Sequence, residues 1–568
     1  MTDVFTSLGN SSFADIRKKN LCYVDKTAFI ARLLQVSETD FSSSGQPPAV
    51  TLLTRPRRFG KTLLMSTLAE FFDIAKNSVP LFEGLEITRY TSLCRAWMNQ
   101  YPVLFITLKD LSQNDFQSNL QVLLSKGIIP LVKRLYPIIE GGQFVFDREY
   151  YDALLRLEVN PDPGRLNSLL QNVLSRLIGT LYEHYGKQVI VLIDEYDVPL
   201  SAAQRGGFYA QMLPFMRSFL SCLKDNPELN FAVLTGCLRL SKESLFTGLN
   251  NFNCNTVYDA GFADCCGFTL AEVRSLVSLY GLEGSEETLI AWYDGYIFGR
   301  KTHIFSPWDV LSYLNEARVN RELRPRAYWA NTASTDEIRA FLSKYRLELQ
   351  ASIEQLFAGT AVFALYDEKI TYNTLFDGLN NFWMLLYYTG YVTLDNTVST
   401  PAGQVALRFP NEEIREIFSG IINEVNADVF SHRNLTALYA DFFRGESSGI
   451  GEKLTELLFD TISYYDYRES FYHAFVVGLF AAGQGMQVRS NPEAGLGRPD
   501  IVVVNHALRQ VIIIECKKAV SDSELQSQAR LALEQIELRR YAKLPWNHLR
   551  VTRVGLAFHG KHCAALSS

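Results

Sequence analysis

Two short stretches of this 568-residue chain carry residue types that phosphate chemistry uses. The first is LLTRPRRFGKTLLM, in which Gly60, Lys61 and Thr62 stand directly before a helical pattern of leucines. Backbone N–H groups of a tight turn, together with the positive end of the following helix, can cradle phosphate oxygens. In such a loop, Lys61 would reach the β- and γ-phosphates, and the Thr62 hydroxyl would bind Mg²⁺. These residues predict a nucleotide site.

The start of this loop is unusual, because Arg55 occupies the position where such loops usually carry their first glycine. Arg57 and Arg58 follow, so three guanidinium groups surround the predicted phosphate site. A guanidinium can contact phosphate or carboxylate through two parallel hydrogen bonds. We therefore expect all three arginines to be able to contact phosphate. The alternative interpretation is a basic surface turn.

A continuous apolar run that ends in acids, KQVIVLIDEYD, supplies the second part of the predicted nucleotide site. Such runs suit a strand buried on both faces of a parallel sheet, and its end would lie where α/β proteins bind ligands. Asp194 would hold Mg²⁺ through water, and Glu195 would orient and deprotonate the attacking water. Thr235, at the end of the next apolar strand, could sense the γ-phosphate. The alternatives are a solvated strand end and an ordinary strand-end threonine.

The second stretch is GRPDIVVVNHALRQVIIIECKK, near the C-terminus. If residues 500–504 and 511–517 pair as an antiparallel hairpin, Asp500 lies opposite Glu515, and strand alternation puts Lys517 on the same face. Two close carboxylates hold Mg²⁺ well, and such an ion supports hydrolysis of a phosphodiester. Lys517 would position or activate the nucleophile. The alternative is a surface ladder of acids and a lysine on an edge strand.

Two helices are expected to flank this hairpin. In the upstream pattern YRESFYHAFVVGLF, Glu469 and His473 lie four residues apart and therefore on one helix face. In the downstream pattern ALEQIELRRYA, the residues Gln535, Arg539 and Tyr541 are placed on one helix, whose basic residues suit phosphate. His473 alone favours a structural role over a catalytic one.

The patterns between these motifs indicate a mixed α/β protein. The apolar runs AVTLLT, PVLFITL, VIVLID and NFAVLTG alternate with helical patterns and predict a doubly wound domain over residues 1–260. Residues 261–445 read as mostly helical, with Thr269 and Ser306 as N-caps. GESSGIGEK is expected to be a linker to a third segment, 446–568, built from a helix, the hairpin and a second helix.

Composition excludes several classes of protein. A chain that is 47% hydrophobic is unlike a disordered one, and a net charge of -6 gives no global signature of nucleic-acid binding, so any such contact needs a local basic patch. The nine cysteines show no zinc-ligand spacing, which favours free thiols in a reducing cytoplasm. The N-terminus has no apolar signal region, and the longest uncharged apolar stretch, residues 382–394, is shorter than the ~20 residues of a membrane helix. We expect a soluble cytoplasmic protein.

Several motifs taken together resemble a known group of bacterial proteins with an AAA-ATPase-like N-terminal domain. These motifs are YVDKTAFI, LLTRPRRFGKT, LIDEYD, LTG, FWMLLYYTGY and FPNEEI. The C-terminal GRPDIVVV and IIIECK are similar to the PD-(D/E)XK nuclease domain that such proteins carry. The resemblance covers nearly the whole chain. It implies a P-loop NTPase (AAA-like) domain, a helical middle region and a C-terminal α/β domain of the restriction-endonuclease type, with ATP and Mg²⁺ as cofactors.

The resemblance also implies roles for individual residues. The Walker A role falls to Gly60, Lys61 and Thr62, and the Walker B role to Asp194 and Glu195. In the nuclease domain the core pattern falls on Asp500, Glu515 and Lys517, with Glu469 as the upstream helix acid and Gln535 and Tyr541 as accessory positions. The arginine-rich RPRRFGK sequence is the usual form of the loop in these proteins.

These observations predict an ATP-binding protein and ATPase coupled to a metal-dependent nuclease. Its partner would be nucleic acid, with DNA as the first choice, and an oligomer is compatible with this interpretation. One alternative is an ATP-dependent conformational switch or nucleic-acid-binding module without nuclease turnover. In a further alternative, both motifs have only a structural role.

Overall fold

A computed structural model describes residues 6–37, 41–141, 145–238, 252–299, 302–329, 335–368, 370, 372, 374–431, 435–459, 469–481, 483, 485–490, 497–539, 541 and 549–568. The chain forms two compact units. The N-terminal unit comprises residues 1–333 and 363–414, and the C-terminal unit comprises residues 334–362 and 415–568. The finer division into segments 1–260, 261–445 and 446–568 stays a prediction.

A parallel five-stranded sheet forms the centre of the N-terminal unit. Its strands are β1 (Val50–Thr54), β2 (Val103–Thr107), β3 (Val189–Asp194), β4 (Leu229–Gly236) and β5 (Phe252–Asn255), in the order β2-β3-β4-β1-β5. Every residue of β3 is buried, as its continuous apolar run predicts. Leu53 pairs with Thr235, and Thr107 pairs with Asp194. The carboxyl ends of these strands therefore meet at one edge of the sheet.

Helices form most of the connections between these strands. The helix Lys61–Phe72 begins directly after Gly60, so the expected order of strand, turn and helix is confirmed. The long connection between β2 and β3 is helical, with segments Phe116–Val122, Leu123–Ile128 (a π-helix), Ile129–Gly141, Val145–Val159 and Pro163–Tyr185. Other helices of this unit are Phe13–Lys18, Ala28–Leu33, Val79–Phe82, Thr91–Trp97, Val198–Gly206, Tyr209–Leu220, Leu270–Leu279, Glu286–Tyr293, Pro307–Val319 and Leu379–Thr389. Across the described ranges, no helix has both the length and the apolar content to cross a membrane.

Two small three-stranded sheets accompany the helices that follow β5. One contains β6 (Phe268–Thr269), β7 (Tyr296–Phe298) and β8 (Thr302–Phe305) in the order β6-β8-β7; the other contains β9 (Val362–Leu365), β10 (Thr393–Leu394) and β11 (Gln404–Arg408) in the order β10-β11-β9. These strands were not predicted from the sequence, because two to five residues give too few positions to show alternation. Thr269 caps its helix as predicted, with Glu272 completing a reciprocal capping box. Ser306 occupies the N-cap position of Pro307–Val319 without a side-chain capping bond.

A mixed five-stranded sheet forms the centre of the C-terminal unit. Its strands are β12 (Met486–Ser490), β13 (Ile501–Asn505), β14 (Gln510–Lys518), β15 (Arg550–His559) and β16 (His562–Ser567), in chain order across the sheet. Only the β14–β15 pair is parallel among these described pairs. Helices of this unit are Asp336–Lys344, Arg346–Phe357, Glu412–Ser431 (which begins in the N-terminal unit), Thr436–Arg444, Ser447–Phe459, Glu469–Ala481 and Leu525–Leu538. The predicted hairpin is confirmed, whereas β12, β15 and β16 were not anticipated.

The helix Leu525–Leu538 joins the two parallel strands β14 and β15 and packs tightly on the sheet. A Cβ atom at Gly555 would lie 2.3 Å from the Ala529 carbonyl oxygen and 2.5 Å from the Leu533 nitrogen. The helix backbone therefore approaches β15 so closely that only glycine fits. This contact fixes the helix that carries Gln535.

The expectation of a linker at GESSGIGEK is wrong. The helix Ser447–Phe459 starts two residues after Gly445, which ends the preceding helix in the left-handed conformation. A Cβ at Gly449 would lie 2.6 Å from an Asp441 oxygen, and a Cβ at Gly451 would lie 3.2 Å from the Cys563 carbonyl oxygen. These glycines permit close packing, so their presence does not indicate flexible chain here.

Candidate active sites

The carboxyl edge of the parallel sheet brings three of the predicted nucleotide-site residues into direct contact. The two carboxylate oxygens of Asp194 accept hydrogen bonds from the Thr62 hydroxyl (2.8 Å) and from the Thr235 hydroxyl (2.6 Å). Asp194 is fully buried, and burial together with the charge of Glu195 raises the pKa of its carboxyl. The three residues come from the helix after β1, the end of β3 and the end of β4, so the sheet topology creates this cluster.

Lys61 lies in the middle of this edge and is almost completely buried. Its Nζ donates to the carbonyl oxygens of Arg55 (3.0 Å) and Pro56 (3.2 Å) and lies 3.4 Å from a Glu195 carboxylate oxygen. Burial opposes its charge, but the interactions with Cys237, Glu195 and the neighbouring acids outweigh burial and raise the pKa of the ammonium group. Lys61 therefore stays charged, which its predicted role in phosphate binding requires.

Arg55 does not take the role expected from its position. Its side chain is fully buried, and its guanidinium donates to the carbonyl oxygens of Thr54 (2.7 Å), Asn255 (3.2 Å) and Phe262 (2.6 Å). The guanidinium also lies 5.5 Å from the centre of the Phe298 ring. Its donors tie the end of β1 to neighbouring chain, so the expectation that Arg55 contacts phosphate is wrong.

The two other arginines of the RPRRFGK loop (residues 55–61) have different surroundings. Arg58 is exposed, has a positive φ of 70°, and places its guanidinium 4.1 Å above the Trp308 ring. Arg57 is half-buried, and its guanidinium is hydrogen-bonded to Cys237. Burial would lower the pKa of the Arg57 guanidinium, yet the interactions with Cys237, Glu195 and Asp197 raise it. Arg57 therefore faces the acids of the sheet edge, whereas Arg58 rests on an aromatic ring.

Asp197, the second aspartate of DEYD, is a site residue that the sequence analysis missed. One of its carboxylate oxygens accepts the backbone N–H groups of Cys237 and Leu238, both at 3.0 Å. Tyr196 makes two more bonds to the same segment, through its N–H to the Thr235 carbonyl (3.0 Å) and its hydroxyl to the Leu238 carbonyl (2.6 Å). The turn after β3 thus holds the chain that leaves β4. The doubled acid in the motif was the available signal.

Residues that follow β5 pack against the back of the RPRRFGK loop. The Phe59 ring contacts Tyr296 and Phe298 at centroid distances of 5.0 and 5.3 Å, and its carbonyl oxygen accepts the Gly267 N–H at 2.9 Å. The Trp329 indole N–H donates to the Arg57 carbonyl oxygen at 3.3 Å. The backbone of the loop is therefore held in shape by chain far from it in sequence.

A buried acid pair, Asp309 and Glu413, lies near these contacts. One Glu413 oxygen accepts the N–H groups of Tyr328 (2.6 Å) and Trp329 (2.9 Å). Burial raises the pKa of Asp309 to about 7, and burial together with the charge of Asp309 raises the pKa of Glu413 to about 10. The pair therefore retains a proton at neutral pH.

The predicted pairing of the C-terminal hairpin is confirmed, and it brings the two predicted metal-binding acids together. Ile501 pairs with Ile514, and the same register places Asp500, just before β13, beside Glu515 on β14. The Asp500 N–H donates to a Glu515 carboxylate oxygen at 3.3 Å, and the Cys516 N–H donates to an Asp500 oxygen at 2.7 Å. Burial raises the pKa of Asp500, while the Cys516 bond and the charges of His473 and Lys517 oppose the rise.

Flanking residues complete this cluster in part as expected. Gln535 donates its side-chain amide to the second oxygen of Glu515 and also bonds Tyr541, so the helix Leu525–Leu538 contacts the acids. The expectation that Arg539 and Tyr541 lie on that helix is wrong, because the helix ends at Leu538. Tyr541 instead packs in the core against the sheet.

The upstream helix Glu469–Ala481 is present as predicted. The side chain of Glu469 lies outside the described part of the structure. His473 is half-buried, and its Nε2 lies 3.0 Å from the Ser490 hydroxyl on β12. The helix therefore brings an imidazole into electrostatic range of Asp500.

Both clusters fit a divalent cation by the chemistry of their donors. Within the described residues, no group of three or more histidine, cysteine, aspartate or glutamate side chains could hold a metal ion. Mg²⁺, however, is commonly held by one or two carboxylates together with water and phosphate oxygens. Asp194 with the Thr62 hydroxyl offers such a donor set, as does the Asp500–Glu515 pair.

Comparison with known proteins agrees with this picture. Residues 7–246 match the family model described as a predicted AAA-ATPase, and residues 467–567 match that of the PD-(D/E)XK nuclease superfamily. The chain is also 27% identical over 555 residues to an uncharacterized protein in the vnfD 5′ region of Azotobacter chroococcum mcd 1, covering 94% of this chain and 92% of that protein. The chain therefore carries an AAA-ATPase-like domain and a C-terminal PD-(D/E)XK nuclease superfamily domain, and the resemblance drawn from its motifs is confirmed.

Proposed function

We propose that the protein binds and hydrolyses ATP and that this activity gates or powers a metal-dependent nuclease carried by the same chain. The substrate of the nuclease would be nucleic acid, with DNA tested first. Mg²⁺ would serve both sites. We place the protein in the cytoplasm, where its nine free thiols would stay reduced.

The hydrogen-bonded chain from Thr62 through Asp194 to Thr235 carries the proposal for ATP. Asp194 and Thr62 would hold Mg²⁺, which supplies positive charge at the phosphates when bound. Lys61 would bind the β- and γ-phosphates, and Gly60 has the left-handed backbone (φ 91°) that the turn requires. Glu195, which lies beside Lys61, would orient the attacking water and accept its proton.

The contact between Asp500 and Glu515 carries the proposal for nucleic-acid cleavage. These two carboxylates would hold the divalent ion, which supplies Lewis-acid stabilisation of charge on the phosphodiester when bound. Lys517, two residues after Glu515 on the same strand face, would position the nucleophile. Gln535 would keep the Glu515 carboxylate in its orientation, and Glu469 would contribute from the upstream helix.

One observation favours the alternative of a switch or nucleic-acid-binding module without cleavage. Both oxygens of Glu515 already accept hydrogen bonds, one from Gln535 and one from the Asp500 N–H. An ion would have to compete with these donors. Protein that binds ATP and nucleic acid, but cleaves no substrate with any divalent metal, would support this alternative.

A nuclease assay tests the proposal directly. Single- and double-stranded DNA and RNA would be incubated with the full chain and Mg²⁺ or Mn²⁺, with and without ATP. We expect wild-type protein to cleave at least one substrate, Asp500→Ala to cleave none, and Lys61→Ala to lose the response to ATP.

Lys517→Ala separates the two sites, because it removes one amine from the C-terminal cluster only. We expect this variant to lose cleavage while it still binds ATP, measured by thermal stabilisation with Mg²⁺ and ATP. Lys518→Ala, which removes the exposed neighbouring amine, is the matched control and should cleave normally. Undiminished cleavage by Lys517→Ala would refute the assignment.

A further inference from the structure

The three arginines of the RPRRFGK loop differ in what their guanidinium groups can reach. The two terminal guanidinium nitrogens of Arg55 donate to three backbone carbonyls inside the core. The guanidinium of Arg58 lies on the Trp308 ring, on the exposed side of the loop. Arg57 alone of the three has its guanidinium among the acids of the sheet edge. The division follows from their positions, since the loop turns sharply at Arg58, whose φ is 70°.

The backbone at Arg57 is fixed, so its side chain is directed rather than free. The Trp329 indole N–H donates to the Arg57 carbonyl oxygen, and the neighbouring Phe59 is clamped by its ring and its carbonyl. The Arg57 guanidinium is hydrogen-bonded to Cys237. The Cys237 sulfur lies 3.5 Å from Lys61 Nζ. The Arg57 guanidinium and the Lys61 ammonium group therefore both lie next to the Cys237 side chain.

The acids around Cys237 include carboxylate oxygens with unused acceptor capacity. Within the described part of the chain, Glu195 Oε2 and Asp197 Oδ1 are buried and have no hydrogen-bond partner. Three acids, Asp194, Glu195 and Asp197, thus share one edge with two cations. Carboxylates bind a guanidinium through charge-assisted hydrogen bonds. A bound triphosphate carries more negative charge than one carboxylate and would attract the guanidinium away from them.

Phosphoryl transfer is accelerated by a guanidinium that contacts the transferred phosphate. In the transition state, negative charge spreads over the oxygens of the transferred group, and an arginine supplied in cis or in trans stabilises it. The phosphate-loop lysine is only one point charge, whereas a guanidinium offers two parallel donors.

We propose that Arg57 is the arginine that stabilises the transition state of ATP hydrolysis, supplied in cis by the phosphate loop itself. This rests on the proposed ATPase function. The water oxygen attacks the γ-phosphorus, the bond from that phosphorus to the β–γ bridging oxygen breaks, and ADP leaves with the electron pair. The proton of the water passes to Glu195, while two N–H groups of Arg57 donate to the γ-phosphate oxygens. A second copy of the chain is not needed for this contact.

Single-turnover kinetics on the full chain test the role of Arg57. We expect Arg57→Ala to bind a fluorescent, non-hydrolysable ATP analogue within threefold of wild type, but to hydrolyse ATP at least ~100-fold more slowly, since arginine fingers contribute about 10³ to 10⁵. Arg57→Lys should recover part of the rate. Trapping of ADP by aluminium fluoride, which mimics the transition state, should be lost in Arg57→Ala. Arg95→Ala, an exposed arginine on the helix Thr91–Trp97, is the matched control.

Three results would overturn the proposal. The first is hydrolysis by Arg57→Ala at the wild-type rate, including the case in which Arg58→Ala is the slow variant. The second is loss of analogue binding by Arg57→Ala, which would make the residue an anchor only. The third is a combination of two observations. The rate of hydrolysis per wild-type molecule rises with protein concentration, and added Lys61→Ala protein restores hydrolysis to Arg57→Ala. Together they indicate an arginine supplied in trans.

Two controls keep these outcomes distinct. Thermal unfolding of Arg57→Ala and of the milder Arg57→Gln separates loss of catalysis from loss of folding. If wild-type protein itself fails to bind ATP, the proposed function fails with it, and that failure is visible without any variant. If wild-type protein binds ATP without hydrolysing it, the role of Arg57 is overturned while ATP binding stands.

Discussion

Replacing Arg55 should cost folding stability and should do so without nucleotide. In Arg55→Met the apolar stem remains, but the carbonyl oxygens of Thr54, Asn255 and Phe262 lose donors at 2.7, 3.2 and 2.6 Å. Hydrogen bonds to a charged group contribute roughly 1.5–3 kcal/mol each, and relief from burying the charge offsets part of that sum. A net loss of about 3 kcal/mol follows from these magnitudes.

Thermal unfolding measures this loss directly. Because about 1 kcal/mol shifts the Tm of a large domain by roughly 2 °C, we expect Arg55→Met to unfold about 6 °C below wild type. Arg55→Lys should lose nearly as much, since one ammonium cannot reach three carbonyls in a fixed fork geometry. Arg95→Met, at an exposed position, should stay within about 1 °C.

The opposite pattern would refute this reasoning. If Arg55→Met unfolds at the wild-type temperature and instead weakens ATP binding as strongly as Lys61→Ala, Arg55 contacts phosphate. The core position described for its side chain would then not be the functional one. Binding of the fluorescent analogue, measured below the unfolding temperature of each variant, decides between the two outcomes.

Three further predictions concern packing, titration and catalysis. Gly555→Ala should lower the free energy of unfolding of the C-terminal unit by about 2–3 kcal/mol, measured by denaturant titration, because the added Cβ meets helix backbone. Gly420 lies at an exposed helix position where an added Cβ meets nothing, so Gly420→Ala should be neutral or stabilising in the same titration. In the buried pair Asp309 and Glu413, the pKa values are raised in the folded protein, so the pair contributes its full stability at acidic pH and loses it as pH rises from about 4.5 toward 10. Glu413→Gln should therefore reduce the fall in Tm between pH 6 and pH 9 by about 3 °C. Glu412→Gln should leave that fall unchanged. Thr235→Val should leave ATP binding intact and slow hydrolysis about tenfold, because Asp194 loses a hydroxyl donor; equal rates would remove Thr235 from the site.

Local patterns were sufficient where chain geometry leaves little choice. The apolar run before Asp194 predicted a buried strand, and the chain after Gly60 predicted a helix; parallel pairing then places the strand ends together. The register that joins Asp500 to Glu515 was predictable for the same reason, since side chains alternate with a period of two along paired strands.

The residue types of the loop did not show where each arginine side chain would point. Arg55 and Arg57 are two residues apart in one loop, yet one guanidinium lies in the core and the other among the acids. That difference depends on Phe262, Asn255 and Trp329, which are far away in sequence. Such long-range contacts leave no periodic signal, so the sequence could place the arginines in the loop but could not assign their partners.

Glycine-rich sequence was misread for a related reason. In GESSGIGEK the residues suggested a flexible connection, because glycine is a poor helix former in isolation. Gly449 and Gly451 lie in a helix at places where other atoms come close, since an added Cβ would lie 2.6 Å from an Asp441 side-chain oxygen and 3.2 Å from the Cys563 carbonyl oxygen. The benefit comes from packing partners such as Asp441 and Cys563, which no local rule includes.

The clamp on Phe59 sets a minimum size for any excised nucleotide-binding piece. A fragment that stops at residue 260 would keep every motif of the predicted nucleotide site yet leave that ring uncovered and remove the Gly267 donor. Extending it to Trp329 would restore the support under Arg57, and only a fragment reaching Gly390 would also cover Pro56. A fragment whose ends are chosen from the sequence motifs alone would thus expose apolar surface and lose contacts that hold the loop. A fragment whose ends are chosen from the residues that contact the loop would keep them.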